Sequence, residues 1–326
     1  MKHTRTMAGL AAAAVLSIAL AGCTVRAADT DTETDAAPVS TYPDKPITLI
    51  VQANPGGGSD LSSRALADQL STVLGVDIIV ENRPGAGGAT ALEYVADLPA
   101  DGYTIGFGPV ELAMLKTTQN ADVLPEYYDL LGQIMLAPGA ISVGADSPYE
   151  TLEQLLEASK TEPITVGNSG AGSIWEAAAK AIAIESGGEF INVPHEGGAP
   201  AVAAAIGSQI DAVVSGAGEA KAGHADGTLR VLAVLHDEEH PDLPGVPTAT
   251  DAGYPVEFGG WGGIYAPAGL PDDVHTALES GIETAVASEA YTGFQKNAGN
   301  LVVYRNSADW TTFVDEQFTR FSELLG

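Results

Sequence analysis

Three short stretches of this 326-residue chain place glycine and serine just ahead of a helical pattern. They are Pro55-Gly56-Gly57-Gly58-Ser59-Asp60, Gly167-Asn168-Ser169-Gly170-Ala171-Gly172-Ser173, and His195-Glu196-Gly197-Gly198-Ala199. A turn of this kind presents backbone N–H groups at the positive end of a helix, with no side chain in the way. The chemistry on offer is capture of a small anion. Two such turns from different domains, facing each other, would clamp one. The plainer reading is that Gly and Ser only make turns and caps. It is the better reading of any single turn; for three turns in matching units both readings stay open.

Signals for covalent chemistry are weaker. No G-x-x-x-x-G-K-[ST] and no G-x-G-x-x-G occurs, so the usual nucleotide cradles are missing. Gly167 to Ala171 falls one glycine short of a nucleophile elbow. One alternative is an exported serine hydrolase using Ser59 or Ser169, with His195 as base; it predicts turnover. His236-Asp237-Glu238-Glu239-His240 is a dense set of potential metal ligands, and on a helix its histidines would share a face. Pro241 and Pro244 follow closely, so the segment reads as an exposed acidic loop. A metal receptor using His236 and His240 is the second alternative. The expectation is a non-catalytic protein with no metal and no cofactor.

The elements that must position the turns alternate between strand and helix. Residues 46–51 form a short β-branched run, as in a buried parallel strand. Ser59 is a plausible N-cap of a helix that carries Leu66, Leu70 and Leu74 at helical spacing and stops at Gly75. Strands over 76–80 and 103–107, with a helix near 89–97, complete a βαβαβ unit. A second unit begins at Ser147-Pro148-Tyr149-Glu150, which has the capping-box pattern, with a helix to about residue 160. Strands follow at 164–166, 190–193, 210–214 and 229–235, with helices between the earlier ones. The chain ends helically, at about 272–288 and 308–324.

Charge and the amino terminus bound the setting. There are 43 acidic and 14 basic residues, a formal net charge of -29. Such a surface repels phosphate backbones, which argues against nucleic-acid binding. Lys2 and Arg5 precede an apolar run too short to span a bilayer comfortably, and that run ends in Leu20-Ala21-Gly22-Cys23. This looks like a bacterial lipobox, with cleavage before Cys23 and lipid on its thiol. An ordinary signal peptide cut near Ala27-Ala28 is the competing reading. Cys23 is the only cysteine, so no internal disulfide is possible. Residues 1–22 read as a lipoprotein signal peptide and 23–41 as a flexible acidic tether. The protein is then exported, attached to a lipid membrane through Cys23, and otherwise soluble.

Further runs share one family's order. They are Tyr42-Pro43-Asp44-Lys45-Pro46-Ile47, the 55–60 turn, Glu81-Asn82-Arg83-Pro84-Gly85-Ala86-Gly87-Gly88, Asp101-Gly102-Tyr103-Thr104, Gly197-Gly198-Ala199-Pro200-Ala201, Pro244-Gly245-Val246-Pro247-Thr248 and Ala266-Pro267-Ala268-Gly269-Leu270-Pro271. As an ordered set they resemble the solute-binding component of the tripartite tricarboxylate transporters, the Bug family, over residues 42–326. The resemblance implies an α/β fold of two domains, a type II periplasmic-binding-protein-like clamshell with crossing strands between them. The implied division is 42–138 plus 258–326, and 139–257. It further implies a receptor that delivers a small organic acid to the membrane permease of such a transporter. By motif, the implied ligand-binding residues are Gly57, Gly58, Ser59, Asp60, Asn168, Ser169, Gly172, Ser173, His195, Gly197, Gly198 and Ala199. Arg83 is read instead as an ion-pair partner of Glu81. Two departures stand out: Ala53-Asn54 replaces the family's usual pair before the first turn, and His195-Glu196 replaces a tyrosine-lysine pair. The second exchanges a cation for an anion, which favours a zwitterionic or partly apolar acid over a simple dicarboxylate. Trp175, Phe258, Trp261 and Tyr265 are candidates for a distal pocket, although core packing is the commoner fate of such residues.

Overall fold

The architecture is that of a computed structural model, which describes residues 41–325. Residues 1–22, Cys23 and all but the last residue of the 23–41 tether lie outside the described residues. The chain opens with β1 (Ile47–Val51), α1 (Gly58–Leu74), β2 (Ile78–Asn82), α2 (Ala89–Ala96), β3 (Thr104–Pro109) and the short α3 (Leu115–Gln119). β1 pairs in parallel with β2 on one side and β3 on the other. Its alternation is suppressed because helices cover both faces: Ile47, Leu49, Ile50 and Val51 are all buried. Leu66 and Leu70 of α1 pack on this sheet, at the spacing that puts them on one helix face.

A 17-residue strand, β4 (Tyr128–Gly144), then carries the chain from one sheet to another. Beyond it come α4 (Leu152–Ser159), β5 (Ile164–Asn168), α5 (Ile174–Ser186), β6 (Phe190–Pro194), α6 (Gly198–Ile206), β7 (Ala212–Gly216), α7 (Ala217–Asp226) and β8 (Leu229–Leu235). The chain returns through β9 (Gly259–Pro267) and finishes with α8 (Asp272–Val286), α9 (Glu289–Ala298) and α10 (Ser307–Leu325).

β4 belongs to both sheets. Residues from Tyr128 to Pro138 pair antiparallel with β9, whose other edge joins β3. From Gly139 onward β4 lies between β7 and β8 instead. The change of partner falls at Pro138, which has no N–H to give to a ladder. Gly139 donates at once to the Phe258 carbonyl at 2.8 Å, so the outgoing and returning crossings touch there. The first sheet reads β2-β1-β3-β9-β4 and the second β8-β4-β7-β5-β6. This is the two-domain α/β clamshell with crossing strands.

Several local readings shift. Gly57, not Ser59, is the N-cap of α1, because Gly58 is already helical. The Ser147 capping box does not open α4. Ser147 Oγ accepts from the Tyr149 N–H, and Thr151 is the cap, its hydroxyl accepting from the Gln154 N–H. The second strand lies at 78–82 rather than 76–80, and β7 ends at Gly216 rather than Val214. β4, β9, α7 and α9 are elements the periodicity did not mark.

Candidate functional site

The 55–60 turn joins β1 to α1 and is fixed from beneath by one carboxylate. Asp60, 2% exposed, accepts from the Gly56 N–H at 2.8 Å, from Asn82 Nδ2 at 2.8 Å and from Arg64, whose guanidinium lies 2.9 Å away. Burial alone would raise its pKa. The Arg64, Gly56 and Asn82 donors outweigh that and hold it at about 2. Asp60 therefore shapes the turn. Ser59 accepts from Gln52 Nε2 at 3.1 Å. Among the described residues no side chain caps α1, which leaves its first-turn N–H groups open to other partners.

The second domain builds its turns similarly. Asn168 is fully buried at the end of β5; its Oδ1 accepts from the Gly170 N–H, and its amide donates to Asn192. Ser173 caps α5 by accepting from the Glu176 N–H, while the Gly172 N–H donates to the Glu176 carboxylate. The His195 N–H donates to the Asn168 carbonyl, and its Nδ1 lies 2.9 Å from the Val193 carbonyl. Glu219, in the first turn of α7, accepts from the Gly216 N–H at 3.0 Å. A side chain at Gly198 would run into that carboxylate and force it to move, so glycine there lets Glu219 keep its bond to Gly216.

Between the two sheets lies a cleft cavity of about 410 Å³. Its walls come from the carboxyl ends of β1, β3, β5 and β7, where open α/β sheets bind ligands. Gly58, Ser59, Ser169 and Ser173 line it; of the twelve expected residues these four meet there. Gly57, Asp60, Asn168 and Gly172 belong to the same turns but are not in the lining, Asp60 and Asn168 being buried; His195, Gly197, Gly198 and Ala199 are outside it too. The amino ends of α1, α5 and α7 all reach it, at Gly58, Ile174 and Gly218. The Trp175 ring crosses the hinge: side chains at Gly139, Gly216 and Gly260 would lie 3.1, 3.5 and 3.8 Å from it. These glycines belong to β4, β7 and β9, and small residues there admit the indole.

Sequence reasoning missed Glu111, Glu219, Phe107 and Asn300, which also line the cavity. Glu111 follows β3 on a single 3-10 turn, Val110–Ala113. Desolvation raises its pKa, opposed by its own backbone N–H. Desolvation also raises Glu219, opposed by the Gly216 N–H. Gly216-Ala217-Gly218 after a β-branched run was a fourth strand–turn–helix signal that could have located α7. No motif marks Glu111.

A second cavity, about 360 Å³, lies behind the crossing strands. Trp261 and Ile174 line both cavities. Phe258 faces the rear one, together with Arg305 and Arg320. The two guanidinium groups sit 4.4 Å above Phe313 and 4.3 Å above Phe258. Tyr265 is buried at 1% exposure against Tyr128 and over Gly106 and Gly108 of its own sheet, and lines neither cavity. Arg83 pairs with Glu81 at 2.7 Å and stacks on Tyr94.

The 236–240 segment is not uniformly exposed. His240 is 3% exposed, with Nε2 3.2 Å from the Gly299 carbonyl and Nδ1 accepting from the Asp242 N–H. Both its ring nitrogens are engaged by backbone, which leaves none for a metal. Lys221 donates to the Asn297 carbonyl and pairs with Asp242, so this face of the second domain grips the carboxyl end of α9. Among the described residues no Ser59 or Ser169 hydroxyl bonds to His195, and no helix is long and apolar enough to cross a membrane.

Residues 62–326 match the pattern of the tripartite tricarboxylate transporter family receptor. The chain is similar to protein BugT of Bordetella pertussis, at 30% identity over 89% of this chain and 92% of that one. It superposes on a TctC solute-binding protein from Polaromonas with a TM-score of 0.79, at 28% identity over 87% of this chain and 99% of the other. Another solved relative, Rpa4515 of R. palustris with adipate, gives a TM-score of 0.76 at 25% identity, over 87% and 97% of the two chains.

Proposed function

The chain belongs to the tripartite tricarboxylate transporter receptor family, and from that premise we propose that it captures a small carboxylate in the cleft between its two domains and delivers it to a membrane permease. The family and its solved relatives are solute-binding proteins rather than enzymes. The observation that carries the ligand class is the convergence of three helix amino ends on one cavity to which, among the described residues, no lysine, arginine or histidine contributes lining. Anion recognition there rests on backbone N–H groups and on the hydroxyls of Ser59, Ser169 and Ser173. An adipate-bound relative supports a carboxylate as the class. The binding set is Gly57 to Asp60, Asn168, Ser169, Gly172, Ser173, His195 and Gly197 to Ala199, the inner residues touching ligand and the others holding the turns.

The two bodies that close are residues 42–138 with 258–326, and residues 139–257. Ligand favours the closed form because only that form offers contacts from both. The export and anchoring signals fit a receptor tethered through Cys23 at a membrane face. Titration calorimetry against a carboxylate panel, with scattering on the saturated protein, tests the reading. Saturable binding with ligand recovered unchanged and a smaller radius of gyration is expected; no binding of any carboxylate overturns it. Replacing Cys23 with serine should move the protein from detergent-extracted membranes to the soluble fraction or leave its leader uncleaved. Wild-type protein found wholly soluble overturns the anchor.

A further inference from the structure

The cleft contains a charge that a simple anion receptor does not need. Glu111 and Glu219 enter it from opposite domains, and among the described residues no basic side chain lines it. Glu219 has local work, because it accepts from the Gly216 N–H and lies under Gly198. Glu111 has none. Among the described residues the only group bonding its carboxyl is its own backbone N–H. A partly buried carboxylate at a cavity wall, without a donor or a cation, is unfavourable unless something else supplies one. The lining it shares is partly aromatic: Phe107, Trp175 and Trp261 face the same space. Trp261 is 3% exposed, and its Nε1 has no acceptor among the described residues, so this wall also holds a spare buried donor.

We propose that the solute is a zwitterion, with its carboxylate on the helix amino ends and a cationic nitrogen held by Glu111 among the Phe107, Trp175 and Trp261 rings. The inference rests on the receptor reading above and narrows its ligand class. A nitrogen cation pairs with the carboxylate of Glu111 and is attracted by ring faces. A second carboxylate at that end of the ligand would meet Glu111 with like charge, in a site with no basic side chain to offset it. The overall charge of the chain points the same way. At a formal -29, its long-range field repels dianions, whereas a molecule of zero net charge approaches without that barrier.

The test compares acids of equal chain length on the same protein. Succinate, glutarate and adipate are titrated against 4-aminobutyrate, 5-aminopentanoate and 6-aminohexanoate, with L-alanine, L-leucine and glycine betaine as shorter, apolar and quaternary zwitterions. At least one zwitterion should bind tenfold or more tightly than any of the dicarboxylates. Glu111→Gln should weaken that zwitterion by tenfold or more and leave dicarboxylate binding unchanged or improved. Dicarboxylates binding wild-type protein more tightly than every zwitterion overturns the inference and leaves the receptor reading intact. The wild-type comparison decides this even where the variant folds poorly. Equal zwitterion affinity in folded Glu111→Gln also overturns it. Failure of both series to bind overturns this inference and the receptor reading together.

Discussion

The two cavities on either side of the crossing strands share a wall and use charge oppositely. Among the described residues, the cleft in front has two glutamates, three helix amino ends and no cation in its lining. The cavity behind has Arg305 and Arg320. Both arginines are taken up by structure. Arg305 bonds Gln133 and covers Phe313, and Arg320 donates to the Glu257 carbonyl above Phe258. The difference shows that a binding protein of this charge can hold its anion with fixed backbone dipoles while its guanidinium groups brace the hinge. Helix ends lose no rotamer entropy on binding, whereas a flexible arginine in an open cleft does.

The shared wall is where the contrast breaks most severely. Trp261 packs edge-on against Trp310 at 5.0 Å and Phe313 at 5.6 Å. Trp261→Ala should cost about 3–5 kcal/mol and join the two spaces, giving a melting temperature lower by roughly 6 °C or more. An unchanged melting curve would show that the wall is not packed as described. Adding a carboxylate on each side sharpens the contrast next. Ser59→Asp places a negative group at the amino end of α1 and should lower ligand affinity about 50-fold, through repulsion and lost charge-assisted bonds. Gln317→Glu, which adds the same charge beside Arg320, should leave affinity within about twofold. Equal losses from both would move anion recognition to the rear.

A smaller effect separates the turn from its support. Asp60 is held at about 2 in the fold, below the ordinary carboxylate value of ~3.9. Its contribution to stability is therefore complete above the ordinary value and is lost as pH falls toward 2. Asp60→Asn should lower the melting temperature by a few degrees at pH 7, and the gap to wild type should close as pH falls from about 4 to 2. A gap that stays constant across that range would assign the loss to packing rather than charge. Salt should have the least effect. With no exposed cation in the cleft lining, raising salt from about 0.05 to 0.5 M should change affinity less than about twofold, or raise it slightly, in calorimetric titration. A steep fall would point to Arg64 or Arg83 instead.

Helices and parallel strands were legible wherever one residue period dominated. α1, α5, α8 and α10 carry apolar residues at helical spacing, α1 and α5 stop at glycine, and β1 and β5 are β-branched runs. β9 was not legible, because its Gly259-Gly260-Trp261-Gly262-Gly263 has the composition of a turn. Its glycines exist to admit neighbours. Phe107 lies against Gly262, Trp310 against Gly263 and Trp175 near Gly260, none of them close in sequence. β4 was hidden by Gly132, Pro138 and Gly139, which mark its bulges and its change of sheet rather than an end.

The same boundary runs through the site. The glycine-serine turns were readable because a few adjacent residues make the turn, supply its hydrogen bonds and begin the helix. The sequence by itself also determined the anionic surface, the absence of familiar nucleotide cradles and the α/β alternation. Only the tertiary structure decided which faces of those turns meet, that Asp60 supports its turn from beneath, and that Glu111 enters the cleft. Glu111 was invisible beforehand because a lone glutamate after a strand has no periodicity and no motif. Its meaning depends on which charges surround it, and those come from chain segments up to a hundred residues and more away, brought together by two crossing strands.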